Sequence, residues 1–152
     1  MKIINKILFL IIFLSLGSCG YEPIYSKWEK ISTDIQSFEI KGDKRINRKI
    51  VSTLNLEDQI KPTGYKLIIN STKSLNTISK DATGKASSFK TKITVVISLL
   101  ENDKLYKKKE FTSDFTYNNI KNKFDLSQYR QDIEANLINK IIEEISIFLI
   151  SN

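Results

Sequence analysis

The stretch FKTKITVVISLLENDKLYKKKEFTSDFTY, residues 89–117, contains two runs of alternating side chains separated by one turn. Successive side chains of a strand point to opposite faces, so residues two apart share a face. In the first run, one face carries Phe89, Thr91, Ile93, Val95, Ile97 and Leu99. After a turn at Glu101 to Lys104, the second run returns with Phe111, Phe115 and Tyr117 directed inward. The stretch therefore predicts an antiparallel hairpin with one buried face.

A further strand is predicted before this hairpin. The segment YKLIIN, residues 65–70, alternates in the same way, with Tyr65, Leu67 and Ile69 on one face. Between this segment and the hairpin, TISKDATGKASS, residues 77–88, is polar and predicts a loop. The sequence from residue 65 to residue 117 thus predicts a three-stranded antiparallel meander.

A strand and a helix are predicted ahead of the meander. DIQSFEIKG, residues 34–42, indicates a short strand ended by Gly42. Its two faces are Ile35, Ser37 and Glu39 on one side, and Gln36, Phe38 and Ile40 on the other. Asp43 is a suitable N-cap for a helix. The apolar residues that follow have helical spacing, at Ile46, Ile50, Val51 and Leu54, and this helix must end before the turn signal at residues 62–64.

A long amphipathic helix is predicted at the C-terminal end. Asp125, with Gln128 three residues later, resembles a capping box. The apolar stripe that follows consists of Leu126, Tyr129, Ile133, Leu137, Ile141, Ile145 and Phe148. The predicted element order is therefore β-α-β-β-β-α. This order is typical of an α+β fold, and we expect both helices on one face of a four-stranded sheet, with the other face uncovered.

The N-terminal segment has the layout of a bacterial lipoprotein signal peptide. Two lysines in residues 1–6 precede an apolar run, residues 7–16, that is too short to cross a bilayer. Leu16-Gly17-Ser18 then leads to Cys19, the single cysteine, and resembles a lipobox. We expect a signal peptide at residues 1–18, a lipidated tether at 19–33 and one domain at 34–152. A cleaved soluble signal and a membrane-anchor helix are the alternatives.

Cys19 is the predicted lipidation site. A lipobox cysteine receives a diacylglyceryl group on sulphur and an acyl group on its new amino terminus, and several acyl chains hold a protein stably on a membrane. Gly20 lacks the aspartate that retains lipoproteins in the inner membrane of enteric bacteria. We therefore expect a location on the periplasmic side of the outer membrane.

The positive charge lies mainly in the middle of the chain. Of 24 lysines and arginines against 17 acidic residues, thirteen basic and five acidic residues fall between Lys61 and Lys123. A lysine-rich surface beside a membrane suits a phosphorylated lipid. With antiparallel pairing, Lys66, Lys90 and Lys92 should lie near one end of a partly apolar face. The alternative lysines are Lys80 and Lys85 in the predicted loop and Lys107, Lys108 and Lys109 on the next strand. A merely solvated lysine surface, encoded by an AT-rich genome, explains the same composition.

The sequence argues against an enzyme. The chain contains no histidine, and its cysteine is assigned to lipidation. Without these residues it has no Ser-His or Cys-His site and few ligands for zinc. Asp81, Asp103, Asp114 and Asp125 are scattered over turns and strand ends, where solvation and capping explain them. We expect no metal and no cofactor beyond the acyl groups on Cys19.

Two segments resemble a known family. CGYEPIY, residues 19–25, is similar to the Cys-Gly-aromatic-x-Pro-aliphatic-Tyr start of LptE, the lipopolysaccharide-assembly lipoprotein, in its alphaproteobacterial form. The C-terminal FTYNNIKNKFDLSQYRQDIEANLINKIIEEISIFL, residues 115–149, is similar to the family's Tyr-Asn strand end, Phe-x-x-x-x-Tyr helix entry and closing helix. The lysine-rich middle departs from the family, so no residue that contacts lipopolysaccharide is carried over.

The resemblance implies an α/β sandwich that acts as a plug and assembly partner of the LptD β-barrel. Such a protein assists lipopolysaccharide transport and its insertion into the outer leaflet. The residues themselves leave a second function open, a periplasmic lipid- or peptide-binding lipoprotein that acts alone. A hydrolase is a distant third.

Overall fold

The computed structural model describes residues 35–57 and 64–150, and its elements follow the predicted order. They are β1 (Ile35–Gly42), α1 (Lys44–Thr53), β2 (Tyr65–Lys80), β3 (Ala86–Glu101), β4 (Lys104–Asn118) and α2 (Lys123–Ile150). The strands form one sheet in the order β1-β2-β3-β4, in which β1 is parallel to β2 and the other pairs are antiparallel. The predicted α+β class and the meander are confirmed. The signal peptide, Cys19 and the tether lie outside the described residues.

Strand β1 departs from simple alternation. Its pairing with β2 shifts between Ile35 and Ser37, so that Ile35 pairs with Tyr65 and Phe38 pairs with Leu67. Ile35 and Phe38 consequently both contribute to the core, although they are three residues apart. The predicted grouping of Ile35 with Ser37 and Glu39 is therefore wrong, because a β-bulge adds one residue and turns the later side chains to the opposite face.

The corner between β1 and α1 is built from backbone and polar side chains. Gly42 has φ +88°, and a Cβ placed there would overlap the carbonyl oxygen of Ser71. The carboxylate of Asp43 accepts hydrogen bonds from the backbone N–H groups of Arg45 and Ile46 at 2.9 and 3.1 Å, which confirms the predicted N-cap. Buried Asn47 accepts from the Ser71 hydroxyl at 2.7 Å and donates to the Lys41 carbonyl at 2.8 Å. This corner fixes the start of α1 against β2.

Both helices pack on the same face of the sheet, as predicted. The hydrophobic core lies between that face and the helices, and its fully buried members include Ile50, Leu67, Ile69, Ile93, Val95, Ile97, Phe111, Ile141 and Ile145. α1 contacts β1 and β2, whereas α2 contacts β3 and β4. The predicted stripe of α2 is confirmed except at Tyr129, which is 39% exposed and packs edge-on against the Tyr117 ring.

The start of α2 differs from the prediction. The Asn122 side chain accepts a hydrogen bond from the Phe124 N–H at 2.9 Å, and the Asn122 carbonyl accepts from the Leu126 N–H at 3.0 Å. Asp125 is already inside the first turn. The capping box at Asp125 was therefore assigned three residues too late, since asparagine also competes well for N-cap positions. Asp125 still lies where a negative charge favours the helix dipole.

The loop predicted at residues 77–88 is mostly strand. β2 continues to Lys80 and β3 begins at Ala86, which leaves a turn of only residues 81–85. Serine hydroxyls support the pairing, since Ser79 hydrogen-bonds with Ser87 at 2.7 Å and with Ser88 at 2.6 Å. Phe115 is on the predicted inward face but is 45% exposed, whereas Phe111 and Tyr117 of the same strand are buried. The polar residues of this segment reflect its exposure to solvent. Their pattern does not indicate that β2 and β3 pair there.

Candidate functional site

The sheet face opposite the helices is covered by none of the described elements. It carries half-buried Ile68, Val96 and Leu100, together with Thr94 and Thr112, whose hydroxyls are 3.1 Å apart. Alternation puts Lys66, Lys90 and Lys92 on this same face. The predicted surface of mixed apolar and basic character is therefore present.

The strand register separates the lysines of this face. Lys66 pairs with Leu100, whereas Lys92 pairs with Ser74 and Lys90 with Asn76. Eight residues separate Lys92 from Leu100 along β3, which corresponds to roughly 26 Å at about 3.3 Å per residue. The expectation that these lysines lie near one end is wrong. We call the end of the sheet with Lys90, Lys92 and the turn at residues 81–85 the distal end.

Two lysines of the uncovered face already have carboxylate partners. Lys66 lies 3.3 Å from Glu39, which also pairs with Lys41 at 3.0 Å. Hydrogen bonds from Lys41, and then from Lys66, lower the pKa of Glu39 below its ordinary value. Lys90 pairs with Asp114 at 2.9 Å. Solvent-exposed pairs of this kind contribute little to stability, and they partly neutralise Lys66 and Lys90 as binding charges.

Lys107 and Lys109 belong to the helix-covered side of the sheet. The Lys107 ammonium donates to the Phe148 carbonyl at 3.1 Å and lies 4.4 Å from the centre of the Phe148 ring. Lys109 lies 5.1 Å from the centre of the Phe111 ring. Cations near the last turn of a helix satisfy free carbonyls and favour its dipole. These two lysines therefore support the end of α2, and Lys108, opposite Ser98, is the member of the trio on the uncovered face.

Lys80 and Lys85 flank the turn at the distal end. Asp81 organises this turn, because its carboxylate accepts hydrogen bonds from the Thr83 hydroxyl at 2.7 Å and from the backbone N–H groups of Thr83 and Lys85 at 2.8 and 3.0 Å. The Thr83 hydroxyl is the main cause of the lowered pKa of Asp81. The turn thus presents two exposed ammonium groups on a hydrogen-bonded frame.

Large apolar side chains are also exposed at the distal end, but Leu75 and Phe115, both opposite Thr91, lie on the helix-covered side and not on the face of Lys90 and Lys92. Leu75 is 48%, Ile78 54%, Phe115 45% and Phe124 75% exposed. The sequence does not predict the exposure of Ile78 and Phe115, because residues 77–88 are polar enough to indicate a loop and Phe115 has the alternation of a core residue. One signal was present, since Phe124 falls outside the apolar stripe of α2. Ile78, two residues before Lys80, is thus the exposed apolar side chain nearest in sequence to the lysines of the distal turn.

Two kinds of site are absent from the part of the chain that the structure describes. Residues 35–57 and 64–150 contain no group of three or more side chains placed to hold a metal ion. Neither α1 nor α2 has the length and apolar character needed to span a membrane.

Known proteins share the fold of this chain. No protein-family model matches the sequence, and no curated protein matches it significantly. A Caulobacter crescentus CB15 protein described as a lipoprotein has a TM-score of 0.57 at 18% identity, over 85% of this chain and 96% of its own. The minor lipoprotein of Acinetobacter baumannii has a TM-score of 0.59 at 9% identity, over 77% and 92%. Lipoprotein B of Nitrosomonas europaea has a TM-score of 0.50 at 10% identity, over 74% and 80%. The chain therefore shares its fold with these lipoproteins.

Proposed function

We propose that this chain is a lipoprotein anchored through Cys19 on the periplasmic side of the outer membrane. There it forms the plug and assembly partner of an LptD-like β-barrel and assists the transport of lipopolysaccharide and its insertion into the outer leaflet. The observation that carries the proposal is the lipobox and CGYEPIY start of the chain, joined to an LptE-like fold.

The distal end supports the lipid part of this proposal. Lipopolysaccharide carries phosphate groups, and exposed ammonium groups match that chemistry. Lys80, Lys85 and Lys92 are exposed there. Lys90 is 2.9 Å from Asp114, so it offers less net charge than the other three.

The anchor is tested by replacing Cys19 with alanine. We expect Cys19→Ala to yield a chain without acyl groups that is unprocessed or released from membranes, as measured by mass spectrometry and fractionation. An unmodified Cys19 thiol in the wild-type protein from membranes would overturn the location. If a barrel also binds the domain, the Cys19→Ala protein will retain part of its function. The anchor then only raises the local concentration of the domain near the barrel.

The partner is tested by purifying the full chain from native membranes in mild detergent. A large β-barrel recovered in equal amount with the chain supports the plug. Recovery of a small bound lipid without a barrel would support the carrier that acts alone. Turnover of a substrate without either would support a hydrolase.

The lipid contact is tested by charge reversal in three places. Lys80→Glu with Lys85→Glu, Lys90→Glu with Lys92→Glu, and a change of Lys107, Lys108 and Lys109 to glutamate are compared in lipopolysaccharide binding. We expect the two distal pairs to bind more weakly, with a larger loss at low salt than at high salt. Lys140→Glu, on the exposed side of α2, is the matched control. Unchanged affinity in all folded variants would mean that the basic composition does not serve lipid binding.

A further inference from the structure

A cleft lies where the connection from β4 to α2 passes the start of β3. Its volume is about 430 Å³, within the range common for small-molecule sites. Phe89, Ile120 and Leu126 line its apolar part, and Lys121, Lys123 and Arg130 are the cations that line it. Among the described residues that line this cleft none is acidic. The cleft thus joins a small apolar surface to three positive charges.

The walls of the cleft are fixed by hydrogen bonds. The Asn119 side chain donates to the Ala86 carbonyl at 2.8 Å, and the Asn119 N–H donates to the Ser87 carbonyl at 2.8 Å. These bonds hold the connection against the start of β3. On the other side, the Asn122 cap fixes the first turn of α2. The cleft therefore exists before any ligand enters, which lowers the ordering cost of binding.

Arg130 supplies the specific chemistry of the cleft. Its guanidinium carbon lies 4.5 Å from the centre of the Phe89 ring and 6.0 Å from that of Tyr117. Its Nε is buried and has no hydrogen-bond partner among the described residues. A buried donor without an acceptor is unfavourable. A guanidinium that lies over an aromatic ring can still donate its N–H groups to a planar or tetrahedral oxyanion.

We propose that this cleft binds an amphiphile through an oxyanion head group, a phosphate or a carboxylate, held by Arg130, Lys121 and Lys123. The short apolar part of the ligand lies against Phe89, Ile120 and Leu126. Such a ligand gives the Arg130 Nε its missing acceptor and removes the apolar lining from water. The site does not depend on a barrel partner or on the Cys19 anchor, so it stands or falls separately from the function proposed above.

The test uses the full chain in nanodiscs of neutral phosphatidylcholine, titrated by calorimetry with three water-soluble probes. The probes are hexyl phosphate, inorganic phosphate and hexanol, and heats from empty nanodiscs are subtracted. We expect one saturable site for hexyl phosphate, with affinity about tenfold higher than for inorganic phosphate, and no saturable site for hexanol. Equal affinity for hexyl phosphate and inorganic phosphate, or no saturable binding of either, would overturn the proposal.

Variants then locate the site. Arg130→Lys keeps a positive charge but loses Nε and the planar fork, and we expect it to weaken hexyl phosphate binding about tenfold, as for the loss of one charge-assisted hydrogen bond. Lys121→Gln and Lys123→Gln should each weaken binding about threefold and reduce its salt dependence. Lys140→Gln is the control, because Lys140 is an exposed lysine of α2 about 15 Å beyond Arg130 along the helix. Thermal melting verifies the fold of each variant. Hexyl phosphate affinity unchanged in all three cleft variants would show that the site lies elsewhere.

A second arm distinguishes the two sources of such a ligand. The hexyl phosphate titration is repeated in nanodiscs that contain anionic phosphatidylglycerol. If phosphatidylglycerol lowers the apparent affinity for hexyl phosphate, the occupant is the head group of a membrane lipid. If the affinity for hexyl phosphate is unchanged, the occupant is a soluble amphiphile. Either result agrees with the proposed chemistry, provided that the cleft variants weaken binding.

Discussion

Strand β2 has two halves that share one partner and differ in burial. From Tyr65 to Ser71 the strand lies between β1 and β3, and Leu67, Ile69 and Ser71 are fully buried. From Thr72 to Lys80 it is flanked by β3 on one side only, and all nine residues are exposed. Pairing with β3 runs through both halves, with register shifts only near Ser79. Strand pairing is therefore independent of burial in this molecule.

The difference shows what an alternating pattern detects. Alternation of apolar and polar residues predicts a strand with one buried face, and only the first half of β2 has such a face. The second half is held by backbone hydrogen bonds, by serine hydroxyls and by the Asp81 turn. We expect damage to the buried half to unfold the domain, and damage to the exposed half to remain local.

The largest expected effect comes from the core between α2 and the sheet, which is continuous with the buried half of β2. Ile141 of α2 is fully buried, so Ile141→Ala leaves a cavity and should lower the free energy of unfolding by about 2 to 5 kcal/mol. Ile147→Ala is the matched control, because Ile147 lies on the same helix and is 60% exposed. Chemical denaturation of both variants checks the contrast. A stable Ile141→Ala chain that no longer binds a barrel would instead mark this stripe as an interface.

Two glycines with similar backbone angles sharpen the comparison. Gly42, at the corner beside Ser71, has φ +88°, and Gly84, in the distal turn, has φ +82°. An alanine at either position should lose about 1 to 2 kcal/mol to its left-handed conformation. At Gly42 the added Cβ also overlaps the Ser71 carbonyl, which should cost about 1 to 3 kcal/mol more. At Gly84 nothing lies within 4 Å of the added atom.

Denaturant midpoints of Gly42→Ala and Gly84→Ala test this difference, since the shared φ effect cancels between the two variants. If the two variants lose equal free energy of unfolding, β1 and β2 move apart at the corner to accept the added Cβ. The buried half would then be less rigid than its packing indicates.

A smaller effect is expected from the polar part of the same corner. Asn47→Ala removes the 2.7 Å partner of the Ser71 hydroxyl and the 2.8 Å donor to the Lys41 carbonyl. Loss of these bonds should lower the free energy of unfolding by about 1 to 3 kcal/mol, and the Ser71 hydroxyl keeps the Asp43 carbonyl as an acceptor at 3.2 Å. Asn139→Ala, on the exposed surface of α2, should change it by less than about 0.5 kcal/mol. If both asparagine variants melt alike, water replaces the buried amide.

The smallest effect concerns pH and the distal turn. The folded-state pKa of Asp81 is lowered, first by the Thr83 hydroxyl, so its stabilising effect is complete above the ordinary aspartate pKa and is lost as pH falls through the lower, folded-state value. Amide chemical shifts of Thr83 and Lys85 should titrate in that acidic window, while those of Leu67 and Ile69 should not. In Asp81→Asn the titration of Thr83 and Lys85 should disappear. If the amide chemical shifts of Leu67 and Ile69 change in the same pH range, the two halves of β2 unfold together.

Much of the fold could be predicted from the sequence because burial leaves an apolar signal. The core positions Ile93, Val95 and Ile97, and the stripe around Ile141, follow directly from periods of two and 3.6 residues. The bulge after Ile35 could not be predicted, because it depends on the register against β2. The early start of α2 depends on which of several polar residues captures its first N–H groups.

The candidate site was less predictable because the lysines do not recur at a regular spacing that would indicate where each one lies in the fold. Lys66 and Lys92 have the same alternation but lie at opposite ends of the sheet, and only the register between β2 and β3 decides this. Lys107 was expected to be available for lipid but contacts Phe148, since the helix above it is distant in sequence. The cleft around Arg130 joins residues from β3, the connection to α2 and α2 itself. Such a site forms only when the chain folds.

The exposed half of β2 also bears on how the protein behaves in concentrated solution. On the side away from β3, the backbone between Thr72 and Lys80 pairs with no described strand, and free edges of this kind recruit further strands into fibrils. Lys80 and the irregular register near Ser79 oppose such growth, through charge repulsion and distortion of the edge, whereas the charge of Lys73 is paired with Glu134 at 3.0 Å. Neutralising Lys80 should leave the melting temperature nearly unchanged while hastening aggregation. Solubility and folding stability are therefore governed by different residues of one strand.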